Sequence, residues 1–270
     1  MFHMEAFSSS LSTGTAQAFQ QLNYVATGNL IPNLNNGLNI PAQLRFLHSL
    51  FPLGVSMTMC RPQTPAFLPW PYWTLGPVNR GTAFESPPRV WDFSRTPIAM
   101  NPTDELDIYA AQNSGGAETD YVAVNLSDGQ IIPAPAGKMF TVHGTSSTTL
   151  TASAWTTVAW TFDQTIPSGR YAIIGARCFA AHLKFFRIIP TEAPNYRPGG
   201  HGVQAYDTLD AHGQRGWDYL GQTGQNWGVW VYTNSYVMPQ CELYSTTADT
   251  AEEIFFDMVL VGPPSNVQGI

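Results

Sequence analysis

"NPTDELDIYAAQNSGGAETDYVAVNLSDG" (residues 101–129) closes one hydrophobic segment of this 270-residue chain, and "MPQCELYSTTADTAEEIFFDMVLVG" (238–262) closes another in nearly the same way. A gapless shift of 137 residues pairs Pro102 with Pro239, Glu105 with Glu242, Leu106 with Leu243 and Ala111 with Ala248. It also pairs Asp120 with Asp257, Val122 with Val259 and Val124 with Val261. Those are seven identities over the 23 positions 102–124, where ordinary residue usage gives roughly one or two.

A true duplication continues upstream with small insertions. Here Thr74, Leu75, Arg80, Gly81, Val90, Trp91 and Met100 recur in the same order as Thr208, Leu209, Arg215, Gly216, Val229, Trp230 and Met238. The shift drifts by a few residues, as loop insertions make it drift. Chains rich in β-structure reuse Val, Trp, Gly and Pro, so short matches come cheaply. The retained order favours duplication.

At this length the chain is one large domain or two of about 135 residues, and the repeat selects two. Within the repeat, "DYVAVNL" puts Val122, Val124 and Leu126 on one side and Tyr121, Ala123 and Asn125 on the other, the period of a half-buried strand. Dense apolar residues over 43–59 read as strands, as do "KMFTVHGTSSTTLTASAWTTVAWTF" (138–162), 171–174 and "FFRII" (185–189). The Pro-rich "CRPQTPAFLPWPYW" forbids a long helix, and "GNLIPNLNNGLNIP" reads as loop. Seven or eight short strands per half with long connections predict an all-β protein of two tandem jelly-roll sandwiches or barrels packed side by side. The expected division is a Ser, Thr and Ala-rich arm over 1–20, a first unit over 21–134 and a second over 135–270, with "IIPAPAG" (131–137) as linker.

Only 11% of residues are charged, against 44% hydrophobic and 13% aromatic, and the formal net charge is -7. The cations are ten Arg and two Lys, Lys138 and Lys184, with no run among them. Counterion release on nucleic acid needs clustered cations, so sequence-specific nucleic-acid binding is not expected, and attachment to anionic lipid is disfavoured. Cys60, Cys178 and Cys241 lie far apart without CxxC spacing, which predicts buried free thiols rather than a disulfide framework or a zinc ribbon. The N-terminus lacks a basic stretch followed by an apolar one, and no run approaches the length of a membrane helix, so a soluble product of a reducing cytoplasm is expected.

Candidate chemistry is sparse. His201, Asp207, Asp210, His212 and Asp218 crowd one Gly-rich loop and could supply metal ligands or a glycosidase acid pair, yet their spacing fits no metal motif and turn chemistry explains them. His143 and His182 sit in strand-like apolar contexts and read as satisfied interior residues. Glu105 and Glu242, one per half, read as a shared strand-start or loop hydrogen bond. "PAGKMF" has Lys138 after Gly137, but Ile132 and Met139 stand where a phosphate loop needs Gly and Ser or Thr. Trp70, Tyr72, Trp73, Trp217, Tyr219, Trp227 and Trp230 could form a stacking platform, though burial in cores or between subunits accounts for most of them. No catalytic, cofactor-binding or metal residue is assigned, no cofactor is expected, and the chain reads as a non-enzyme.

The repeated ends "ELDIYAAQN…DYVAVNL" and "ELYSTTADT…FFDMVLV", each preceded by "TL…RG…VW…M", resemble the double jelly-roll major capsid proteins of tailless icosahedral viruses and bacteriophages, many of them membrane-containing. The resemblance spans about residues 20–265 and is architectural. It implies a structural virion protein, made in the host cytoplasm, whose homotrimers form pseudo-hexagonal capsomers tiling an icosahedral shell. Implied partners are neighbouring capsomers, minor or penton proteins and an internal membrane reached by the arm. The rival readings are a carbohydrate-binding or carbohydrate-active β-sandwich, and a viral spike or minor capsid protein.

Overall fold

The computed structural model describes residues 2–12, 18–25, 33–34, 36–54, 57–67, 74–75, 90–93, 95–112, 116–130, 133–204, 228–232 and 240–263. These residues form strands and turns, with one 3-10 turn at Pro65–Phe67 and no α-helix among them. The protein is all-β, built of antiparallel sheets. The described residues divide into two compact units, one within His3–Gly129 and one made of those within Gln130–Asp207 and Gly216–Ile270 together with Phe2.

The first unit carries β1 (Phe2–Leu11), β2 (Gln20–Tyr24), β3 (Asn33–Leu34), β4 (Gly37–Asn39), β5 (Phe46–Leu53), β6 (Met57–Gln63), β7 (Thr74–Leu75), β8 (Trp91–Asp92), β9 (Ile98–Ala99), β10 (Glu105–Gln112) and β11 (Glu118–Ser127). They make one hydrogen-bonded system in the order β3-β4-β10-β2-β1-β11-β5-β8, with β6 on β10, β7 on β6 and β9 on β5. β2 is the joint, since Gln20–Leu22 pairs with β10 while Asn23 and Tyr24 pair with β1.

The second unit carries β12 (Met139–Ser146), β13 (Ala154–Ala159), β14 (Thr161–Phe162), β15 (Gly169–Ala180), β16 (Leu183–Ile189), β17 (Gly199–His201), β18 (Val203–Gln204), β19 (Gly228–Tyr232), β20 (Gln240–Ser245) and β21 (Glu252–Gly262). Here two sheets are separate, β14-β12-β21-β15 with β18 and β19 on β15, and β13-β20-β16-β17. Their inner faces form the core, with Val142, Ile173, Cys178 and Phe256 from the first sheet and Val158, Phe186, Cys241 and Leu243 from the second all buried.

Following neighbours through both units yields the same two strand orders. The path β1-β11-β5-β8 corresponds to β12-β21-β15-β19, and β2-β10-β6-β7 to β13-β20-β16-β17. The repeated tryptophans obey it: Trp91 lies across from Leu50, which pairs with Val124, and Trp230 lies across from Tyr171, which pairs with Leu260 beside a register shift. The sequence repeat therefore falls on matching strands, β10 and β11 against β20 and β21.

Two expectations need correction. Residues 2–11 are not an arm: Phe2, Met4, Ala6, Phe7 and Leu11 are buried, and β1 sits inside the sheet between β2 and β11. The Ser-rich tail of this segment hid an apolar first half whose partners lie about a hundred residues on. The loop-like "NLNNGLN" instead holds two short antiparallel strands, Asn33 opposite Leu38 and Leu34 opposite Gly37.

Candidate functional site

The outer face of β12-β21-β15 in the second unit carries the densest exposed chemistry among the described residues. Alternation explains it: Val142 and Gly144 of β12 and Ile254, Phe256 and Met258 of β21 turn inward, leaving Thr141, His143, Glu253, Phe255 and Asp257 on the other side. In register, Thr141 faces Asp257 and His143 faces Phe255, while Arg177 of β15 stands across from Phe255.

These side chains form one connected strip. Thr141 Oγ1 donates to Asp257 Oδ1 at 2.5 Å, and Arg177 Nη2 donates to the same oxygen at 3.0 Å. The Arg177 guanidinium also sits 5.8 Å from the Phe255 ring centroid, within cation–π range. Phe255 stacks on His143 at 4.6 Å and meets Phe179 edge-on at 5.7 Å. His143 Nδ1 is 2.5 Å from Asp163 Oδ2, and its Nε2 is 3.6 Å from Glu253 Oε2. Beyond the strip's end, Met139, Leu260 and Val261 are 54%, 55% and 38% exposed.

Both His143 nitrogens face carboxylates. The strip is a mixed apolar and charged surface, with Phe255 and Phe179 set among His143, Arg177 and three carboxylates.

A second cluster stands on β10, where Glu105, Asp107 and Tyr109 share the outward side. Gly37 N–H donates to Glu105 Oε1 at 3.1 Å, and Gln21 Nε2 to Asp107 Oδ1 at 2.7 Å. Burial, then the Glu105 charge, raises the Asp107 pKa. The Arg61 guanidinium lies 5.0 Å from the Tyr109 ring and 4.9 Å from Phe19. In the second unit the matching glutamate has different company: Arg187, fully buried, donates from Nε to Glu242 Oε2 at 2.6 Å and stacks over Trp155 at 4.1 Å, with Arg197 Nε 3.3 Å from the same oxygen. Glu105 and Glu242 thus share a place in the repeat but not a bond; Glu105 holds the backbone of β4, and Glu242 joins β20 to β16.

Other sequence candidates fall as follows. His201 is in β17, fully buried and stacked on Phe185 at 5.9 Å, away from any surface ligand role. Asp207, Asp210, His212 and Asp218 lie outside the described residues, as do Trp70, Tyr72, Trp73, Trp217, Tyr219 and Trp227. Neither His143 nor His182 is interior: His143 is half-buried on the outer face, and His182 is exposed in the turn between β15 and β16. Hydropathy around a histidine reports its strand, not its side of the strand. The strip itself escaped sequence reasoning because its members come from strands about 20 to 120 residues apart.

Cys60, Cys178 and Cys241 are buried free thiols, and burial drives the Cys178 pKa well above its ordinary value and that of Cys241 to about 12. Among the described residues no group of three His, Cys, Asp or Glu side chains could hold a metal ion, and no helix is long and apolar enough to cross a membrane.

No protein-family model and no curated protein matches the chain. Among solved structures it is similar to the major capsid protein P2 from Bacteriophage PM2, at 14% identity over 94% of this chain and 99% of that one, with a TM-score of 0.23.

Proposed function

We propose that the chain is a structural virion protein, a major capsid protein of double jelly-roll type whose homotrimers act as pseudo-hexameric capsomers of an icosahedral shell. One observation carries the reading: the two units repeat the strand orders β1-β11-β5-β8 and β2-β10-β6-β7 as β12-β21-β15-β19 and β13-β20-β16-β17. Two four-strand paths of this kind per unit are what a jelly roll requires, and that architecture recurs in viral coats. A duplicated unit lets a trimer present six similar lobes and so approach hexagonal tiling, with closed symmetry fixing the contacts.

Supporting this are a surface poor in lysine, which is depleted at protein contacts, and the strip ending in exposed Met139, Leu260 and Val261. In this reading the work done is assembly rather than turnover, the site of action is the virion after synthesis in the host cytoplasm, and the partners are copies of the same chain with minor or penton proteins at special positions. Because residues 2–11 belong to a sheet, the reading does not extend to an N-terminal arm that reaches a membrane.

Native mass spectrometry and negative-stain microscopy of the full chain test it. Oligomers of three times 29.6 kDa, with hexagonal sheets or closed shells at high concentration, are expected. A strictly monomeric protein under all assembly conditions, or one that binds or cleaves a glycan as a monomer, overturns it.

A further inference from the structure

The repeated strand carries the same aspartate twice in opposite surroundings. In the second unit Asp257 faces Gly175 and holds both Arg177 and Thr141. In the first, Asp120 lies next to the Tyr121–Leu53 pair, at the end of β5, so close to Gly54 that a Cβ there would collide with its carboxylate. The facing of aspartate and glycine is thus kept in both copies, but the arginine is not.

Asp120 is fully buried, and among the described residues neither carboxylate oxygen has a hydrogen-bond partner. A bare buried carboxylate costs several kcal/mol unless it is paired or takes up a proton. The charge of Glu118, two residues earlier, raises that cost, and among the described residues its own buried Oε2 has no hydrogen-bond partner. The flanking strands bring no relief. On β5 the one titratable group is His48, whose Nε2 meets Ser127 Oγ at 2.6 Å near the far end of β11. On β1 the titratable groups His3 and Glu5 meet each other at 2.6 Å, and Tyr24 Oη donates to Glu5.

We propose that Asp120 is a proton-operated latch of the first unit: it enters the sheet as the neutral acid, and loss of its proton loosens β11 from the end of β5, whereas Asp257 is a standing ion pair. Consistent with this, burial and then the Glu118 charge raise the Asp120 pKa from 3.8 to about 7. A carboxyl whose folded pKa lies above its unfolded value contributes stability that is complete below the unfolded pKa. That contribution is lost as pH rises through the folded one. The window is therefore about pH 4 to 7, and the first unit is weakest on the alkaline side.

Hydrogen–deuterium exchange of the full chain, corrected for intrinsic exchange rates and read on peptides spanning 46–54 and 118–127, tests the latch between pH 5 and 8.5. In the native protein, protection at these peptides should fall by about tenfold or more over the range, following the linkage between protonation and opening. In Asp120→Asn the fall should vanish, and in Glu118→Gln it should move to lower pH. Asp257→Asn should lower protection of 252–262 at both ends of the range. Equal protection of the native peptides at pH 5 and 8.5 overturns the proposal even if Asp120→Asn fails to fold, as does an unchanged pH response in Asp120→Asn.

Discussion

In β11 of the first unit Ala123 and Val124 are fully buried, and so are Val122 and Leu126. At the matching positions of β21 Leu260 is 55% and Val261 38% exposed. Related sequence on a matching strand is buried in one unit and meets water at its end in the other. The difference teaches that a duplicated strand keeps its pairing pattern while its surroundings decide which side chains meet water. With the fold repeated, the outer face of the second unit carries the His143, Phe255 and Arg177 strip.

Substitutions at the matched valines bear hardest on this contrast. Val124→Asp buries an unpaired charge and should cost more than about 4 kcal/mol, seen in urea unfolding as loss of the first unit's transition. An intact first unit in that variant would mean that β11 is not buried as described. Next in size is Arg177→Ala, which strands the nearly buried Asp257. Discounting for the 27% exposure of the Arg177 side chain, the loss should be about 2 kcal/mol in the second unit, and it should be recovered in part by adding Asp257→Asn.

Val261→Asp should change stability by no more than about 0.5 kcal/mol, since its side chain already meets water. If the exposed apolar end of the strip is a copy-to-copy contact, the same variant abolishes trimers in native mass spectrometry, and unaltered assembly would remove this patch from the interface. Smallest is Arg170→Ala, which breaks the exposed bidentate pair with Glu192 at 2.6 and 2.7 Å. Exposed pairs contribute about 0–1 kcal/mol, so its unfolding midpoint should barely move.

Local patterning made the strands legible. Period-two alternation marked β11, β-branched residues marked β12 and β13, and "FFRII" fell within β16. The repeat also pointed to matching strands before any pairing was known, because a gapless shift preserves inward and outward parity along a strand. The candidate strip was not legible. His143 meets Asp163 twenty residues away and Glu253 more than a hundred away, and no local pattern encodes which strands become neighbours. β1 misled for a related reason: the Ser-rich run after "FHMEAF" looks solvated, while the sheet supplies cover for the residues Phe2–Phe7 ahead of it.

By itself the sequence determined that the chain is β-rich, lysine-poor and internally repeated, since alternation, composition and order of landmarks are properties of neighbouring residues. Only the tertiary structure decided that one repeated aspartate has an arginine and the other has none, that Glu105 holds a backbone while Glu242 holds a side chain, and that one copy of the strand is buried while the end of the other meets water. The physical reason is that burial and charge pairing depend on strands brought together across long loops, where a register difference of one residue changes every partner.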